Sequence, residues 1–362
     1  MFKQNARYYT VGESVVYDKL TAIRQSESTG HHIQFHTPQY ELHHEPEQDL
    51  LTLCIQHAKR IREKYDYIRL WYSGGCDSQY MFRAFRAANI HIDEIIMVKC
   101  GIKCSEWEID DVAVPFVREH AHPDTVIRTH TKSIDDYYDF DGFWFDKHAR
   151  AGRNSRLISG LRLNEHLECI NLYDTFGKTV NVLGIDKPKI CHVQGKWYAY
   201  FLDYYDWQQG TSNNDFCCFF DDDPLIYAKQ CHMLRRGIEN SVQPDCYNSV
   251  QKSHHFERLL NECTDRVSIG EYFIPYANNH HHATIPSFNK KELDAKLYML
   301  EHHPQVMEHY YNGIEELRGI GTRWWNNGDP ESGPVLCLSQ FMCMSSPGFE
   351  NSNNLFPDGF NL

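Results

Sequence analysis

Ser73-Gly74-Gly75-Cys76-Asp77-Ser78 is the stretch of this chain whose residue types and spacing could do chemistry. A polyphosphate carries several negative charges that must be offset without a mobile water shell. Backbone N–H groups at the start of a helix do this with fixed dipoles. Gly74 and Gly75 lack the Cβ that would hold phosphate oxygens away, and either can take positive φ. Ser73 and Ser78 add hydroxyls, and Asp77 adds a carboxylate suited to Mg²⁺. No Gly-Lys-Ser/Thr follows the glycines, so a Walker A loop is excluded for this segment. Ser-Gly-Gly also occurs in ordinary strand-to-helix turns, and the flanking elements decide between the two readings.

Those elements alternate. Gln48 to Lys64 carries Leu51, Ile55, Ala58 and Ile61 at helical spacing, and Tyr67 to Tyr72 is a short aromatic and β-branched strand stopped by the glycines. Gln79 to Ala88 resumes a helical pattern, Ile92 to Val98 reads as a second strand, and Glu106 to His120 as a helix with Val112, Phe116 and Val117 on one face. Thr125 to His130, a helix over Asn154 to Cys169, and a strand over Thr179 to Gly184 complete the run. Strands alternating with helices predict an α/β fold, a parallel twisted sheet with flanking helices, with ligands at the carboxyl ends of the strands. Ile190 to Gln194 and Trp197 to Phe201 flank Gly195-Lys196 as a β-hairpin, where the parallel register is expected to end. Pro224 to Arg236 and Lys290 to Tyr311 read as helices, and Gly328 to Gly333 and the tail after Gly348 as loop. The expected organisation is a β-rich N-terminal lead-in over 1–48, the α/β domain over 49–240 and a mainly helical C-terminal region over 241–362.

Set in this context, Ser73-Gly74-Gly75-Cys76-Asp77-Ser78 resembles the Ser-Gly-Gly-X-Asp-Ser signature of the PP-loop ATP pyrophosphatases, the adenine nucleotide alpha-hydrolase-like superfamily with a HUP/Rossmann-like fold. Asparagine synthetase, argininosuccinate and GMP synthetases and tRNA-modifying enzymes belong to it. A longer resemblance, over most of residues 8 to 235, is to phage asparagine synthetase-like PP-loop proteins. It is carried by Tyr9-Thr10-Val11-Gly12, Arg62-Glu63-Lys64-Tyr65-Asp66-Tyr67, Asp93-Glu94-Ile95-Ile96, Leu183-Gly184-Ile185-Asp186-Lys187-Pro188, and the run from Asp223 to His232.

The resemblance implies that ATP is cleaved between its α- and β-phosphates, giving an adenylated substrate and Mg-pyrophosphate. It implies that Ser73, Gly74, Gly75, Cys76, Asp77 and Ser78 hold phosphates, that Asp77 and Asp186 ligate Mg²⁺, and that Lys187 stabilises the departing pyrophosphate. Gly184 would open the second loop of the site, for which a plain surface turn is the alternative, and Val98 to Gly101 would receive adenine. Position 2 is Phe2 rather than the cysteine of a glutamine-dependent amidotransferase, and no Gly-Gly-Tyr follows Asp186. The expected reaction is therefore adenylation of a carboxylate or carbonyl oxygen followed by attack of ammonia or an amine. Nucleobase or tRNA modification, including thiolation, uses the same first step. A non-catalytic nucleotide-binding protein is a third reading.

Composition narrows the partners. Aromatic residues make up 14% and hydrophobic residues 41% of 362 residues, enough for a packed core. A net charge of -13 repels polynucleotides and favours a small-molecule substrate. Thirteen scattered cysteines, an odd number, read as reduced thiols. No apolar run approaches a membrane span and no secretory leader is read, so a cytoplasmic location is expected, the host cytoplasm if the protein is phage-encoded. Cys100 and Cys104 are weak metal or persulfide candidates, and Cys217-Cys218 could join a cluster only through tertiary structure. Glu106 reads as a helix-start carboxylate or a substrate contact. Lys229 and His232 share a helix face, either closing over phosphates or capping a solvated surface. The acidic runs Asp135-Asp136 and Asp221-Asp222-Asp223 read as solvated loops, the second favouring the helix start that follows. The paired and tripled histidines, such as His43-His44 and His280-His281-His282, read as solvated loops too.

Overall fold

Tyr67–Trp71 (β4) places Ile68 and Leu70 on one face and Arg69 and Trp71 on the other, and all four are buried, so this strand is covered on both sides. Around it the computed structural model builds a five-stranded parallel sheet. It describes residues 8–16, 19–74, 76–99, 108–131, 177–184, 188–193, 195–201, 214–239 and 340–351, with a few further positions between 297 and 336. Glu94–Lys99 (β5) pairs with β4 on one side and with Val126–Thr131 (β6) beyond; Thr179–Leu183 (β7) pairs with β4 on the other side. The fifth strand, Asn214–Cys218 (β10), pairs parallel to β7, with Cys218 opposite Leu183. The order β10-β7-β4-β5-β6 makes β4 central. The parallel register therefore does not end at Ile190: the chain makes a hairpin and then returns to the same sheet.

Helix α2 (Leu50–Lys64) starts where the Asp49 side chain accepts the Thr52 amide at 2.8 Å, and it buries Leu53, Cys54, Ala58 and Ile61. Helix α3 (Cys76–Ala87) begins three residues before the amphipathic pattern of Gln79 onward. The helix expected over Glu106 to His120 is divided into a π-helical turn at Glu108–Ala113 and helix α4 at Val114–His120, with Pro115, which has no N–H to donate, just past the junction. Helix α5 (Pro224–Glu239) packs beside α2. One core joins these helices to Ile68, Leu70, Ile95, Met97, Val180 and Val182 of the sheet.

The opposite face of the sheet is polar at its amino end. Arg69 and Glu94 are both fully buried and paired at 2.7 Å, Arg128 reaches Glu94 at 2.6 Å, and Asn181 Oδ1 accepts from Arg69 and from the Trp71 indole at 3.3 and 3.0 Å.

Strands β1 (Tyr8–Val11), β2 (Ser14–Val16) and β3 (Ile33–His36) form an antiparallel sheet, with helix α1 (Lys19–Thr29) between the last two. Lys189–Val193 (β8) and Lys196–Tyr200 (β9) form the hairpin, turning at Gly195 with φ +77°. Trp324–Trp325 (β11) and Val335–Leu336 (β12) make one short antiparallel pair. Gln340–Cys343 (β13) then pairs antiparallel with β9, and Phe349–Asn351 (β14) with β13, so the tail after Gly348 is not all loop. Tyr40 ties the two ends together: its N–H meets Met342 Sδ at 3.3 Å and its hydroxyl donates to Asp221 O at 2.7 Å. Among the described residues no helix is long and apolar enough to cross a membrane. The helix expected at Asn154 to Cys169 lies outside the described residues, as do Asp135-Asp136 and the loop at Gly328 to Gly333.

Candidate functional site

Because β5 and β6 lie to one side of β4 and β7 and β10 to the other, the strand order reverses between β4 and β7. In an open parallel sheet that reversal leaves a crevice at the carboxyl ends of the two strands. The turn after β4 and the loop after β7 both start there, with Trp71 and Leu183 opposite each other in register.

The first turn has the backbone its sequence requires. Gly74 is buried at φ +80°, a conformation L side chains rarely adopt, and Ser73 beside it is exposed. The Ser73 amide donates to Ser78 Oγ at 3.3 Å, and the two serine hydroxyls are 3.3 Å apart. Ser78 is buried, so these contacts fold the turn back against the first turn of α3. Asp77 lies half-buried in that turn, where the positive end of the helix favours a carboxylate. The Tyr72 amide donates to Ile96 O at 2.8 Å and its hydroxyl pairs with Gln79, fastening both ends of the turn to the core.

The loop after β7 meets the same turn. A Cβ on Gly184 would stand 3.2 Å from Asp77 C, 3.2 Å from Ser78 N and 2.8 Å from Met81 Cε, so only glycine fits this approach without a shift. Val98, at the end of β5, is buried in an apolar cluster with Trp71, Ile96 and Leu183. The structure thus brings Ser73, Gly74, Asp77, Ser78 and Gly184 together, with Val98 on the neighbouring strand. Cys76 opens α3; its side chain, and Gly75, Asp186 and Lys187, lie outside the described residues, as do Cys100, Gly101, Cys104, Glu106 and His280-His281-His282.

A polyphosphate fits what is present: a helix start, a left-handed glycine, the exposed Ser73 hydroxyl with Ser78 behind it, and a neighbouring loop that opens with Gly184, which has no Cβ. For Mg²⁺ the described donor is the Asp77 carboxylate, in keeping with an ion held mainly by substrate phosphates and water. Among the described residues no group of three or more His, Cys, Asp or Glu is arranged to hold a metal on its own.

Lys229 and His232 do neither of the things their helix face suggests. Lys229 donates to Pro46 O at 3.0 Å and pairs with Glu45 at 2.8 Å, while His232 Nε2 donates to Leu42 O at 2.8 Å. With Arg236, also on Glu45, they strap the segment before α2 onto α5. Burial lowers the His232 pKa, so the ring is neutral near pH 7.

Asp221 and Asp223 are buried rather than solvated. Asp223 accepts the Leu225 and Ile226 amides at 3.0 Å each, capping α5, and binds His57 Nδ1 at 3.2 Å and Arg60 on α2. Cys217 Sγ lies 3.5 Å from His57 Nε2. Cys217-His57-Asp223 has the order of a nucleophilic triad, but burial pushes the thiol well above its ordinary value, and a protonated thiol in a closed core is no nucleophile. The trio joins α2, β10 and α5. These partners are distant in sequence, and the residues themselves carry no signal that they meet.

No protein-family model matches the sequence, and comparison with curated proteins found no match.

Proposed function

We propose that this chain is an ATP-consuming enzyme of the PP-loop kind, with a HUP-like α/β domain between a β-rich N-terminal lead-in and a C-terminal region that includes helix. The observation that carries the reading is the packing of Gly184 onto the first turn of α3, at the strand-order reversal, beside the left-handed Gly74. Two loops from neighbouring strands meeting at a helix start suit a ligand that is both anionic and extended.

In the proposed reaction a substrate carboxylate or carbonyl oxygen attacks the α-phosphorus of ATP. The bond to the bridging α–β oxygen breaks, pyrophosphate leaves with the electron pair, and an amine or ammonia then displaces AMP from the adenylate. The turn after β4 would hold the phosphates through its amides and the Ser73 and Ser78 hydroxyls, and the apolar group around Val98 would border the base. Mg²⁺, held by Asp77 and Asp186, would offset charge on the leaving pyrophosphate, and Lys187 would act on the same oxygens. The net charge of -13 supports a small-molecule acceptor over a polynucleotide.

The test is Asp77→Ala. Release of AMP and pyrophosphate from ATP, in the presence of a metabolite extract supplying the acceptor, is expected to be lost while the thermal unfolding profile is kept. Unchanged turnover would remove the turn from the mechanism.

A further inference from the structure

At the other end of α3 the sheet's amino edge carries a separate cleft of about 590 Å³. Its walls are the last turns of α3 and α4 and the two turns that lead into β5 and β6. With about 1.5 Å of rise per residue, Arg86 on the rim of this cleft stands roughly 15 Å along α3 from Cys76 at the phosphate turn. Its volume lies within the range of small-molecule sites, about 300–1,000 Å³.

The floor is apolar and the rim is basic. Phe82 and Ile92 are buried beneath it. Arg86 is exposed, with its guanidinium 5.9 Å from the centre of the Phe82 ring and no carboxylate partner among the described residues. Three imidazoles join it. His91 and His122 meet edge to face at 4.9 Å, and His120 stacks on Phe116 at 4.2 Å.

The Nδ1 atoms of all three face protein groups. His122 Nδ1 accepts the Asp124 amide at 3.2 Å, which puts the proton of the neutral ring on Nε2. His120 Nδ1 donates to Phe116 O at 2.9 Å, so its Nε2 becomes a donor once the ring is protonated. His91 Nδ1 lies 3.7 Å from Asp93. Three carboxylates are near, one of them Glu119, which lies 3.9 Å from His120 Nδ1 and is largely exposed to water. Asp93 is engaged by Arg62 at 2.5 Å and by the Ile68 amide at 2.8 Å, and Asp124 is largely exposed to water. What the cleft offers a ligand is one permanent cation and imidazole Nε2 groups above an aromatic floor.

We infer that this cleft binds a small organic anion, a phosphate monoester with an aromatic or apolar body, through Arg86, His91, His120 and His122. A bidentate guanidinium contact and imidazole N–H donors suit phosphate oxygens, and the floor at Phe82 suits the body. The site is independent of the turn after β4.

The test uses phenyl phosphate, with inorganic phosphate and phenol for comparison, titrated into the full-length protein while the imidazole resonances are followed. Phenyl phosphate is expected to shift the signals of His91, His120 and His122 and to bind at least tenfold more tightly than either comparison compound. Arg86→Gln, an exposed substitution, is expected to weaken binding at least tenfold, whereas Asp77→Ala leaves it unchanged. Imidazole signals that do not move, or that move equally in Arg86→Gln, overturn the inference. A response abolished by Asp77→Ala and kept in Arg86→Gln assigns the anion to the turn after β4 and overturns it as well.

Discussion

Gly184 stands so close to Ser78 that a methyl group on the glycine would lie 3.2 Å from the serine's amide nitrogen. The loop after β7 is seated on the turn after β4, and each fixes the other. Gly184→Ala is expected to cost about 1–3 kcal/mol, the usual penalty for forcing an extra carbon into a packed contact, and to reduce ATP turnover by more than the stability loss explains. Met81 Cε can swing away, but the backbone at Asp77 and Ser78 cannot. Thermal melts and AMP release measured on the same preparation check this; an unchanged melting temperature would show that the two loops do not bear on each other.

Asp223 makes stability depend on acid. Burial alone would push its carboxyl up, but the hydrogen bond and charge of His57, the Ile226 amide and Arg60 outweigh it and hold the pKa at about 2. The folded value is below the unfolded one, so the stabilisation is complete above the ordinary aspartate range and is lost as pH falls towards about 2. The loss amounts to about 2 kcal/mol. Urea unfolding at about pH 5 and about pH 2 is expected to show a steeper decline in the wild type than in Asp223→Asn. Parallel declines would mean that the contacts to α2 are not held in solution.

Asn89 ends α3 in the left-handed region at φ 55°, with its amide on Arg86 O and the Ile90 amide on Phe85 O, each at 2.9 Å. This is the Schellman arrangement, in which the left-handed position suits glycine best and asparagine next. Asn89→Gly is expected to be neutral or slightly stabilising, and Asn89→Ala to cost about 1 kcal/mol. Chemical denaturation of both variants tests the difference, and equal stabilities would contradict the assigned backbone.

Thiol reactivity should separate four cysteines. Burial raises Cys54, Cys217 and Cys231 well above their ordinary value. At Cys343 burial also acts upward, but the hydroxyls and amides of Ser345 and Ser346 outweigh it and lower the thiol. Iodoacetamide under native conditions, read by peptide mass spectrometry, is expected to modify Cys343 ahead of the other three. Earlier modification of Cys217 would mean that its core opens readily.

Much of the α/β domain could be read in advance because its signals are local. The change from a short aromatic and β-branched run to a 3.6-residue period across Ser73-Gly74 marks strand, turn and helix within a dozen positions, and Gly195 marks the hairpin in the same way. The place of β10 in the sheet is not legible, because Asn214 to Cys218 carries no information about its partner and its pairing with β7 crosses the whole hairpin. The π-helical turn at Glu108–Ala113 differs from an α-helix by one residue per hydrogen bond, too little to disturb a pattern of apolar positions. Asp221 and Asp223 read as solvated because nothing nearby neutralises them; the groups that do so for Asp223 sit on α2, with Arg60 163 positions earlier. The spacing of Lys229 and His232 sets them on one helix face, but what that face meets, Pro46 and Leu42, is a tertiary fact.

Tyr200 and Phe341 are both fully buried, with ring centres 4.8 Å apart, where β13 zips onto β9. During synthesis, β9 emerges from the ribosome some 140 residues before its neighbour does, and until then one rim of the hairpin has only water to bond with. Completion of this small sheet is therefore a late event in the life of each new molecule, and a nascent chain stalled before residue 340 would display a sticky strand rather than a finished protein.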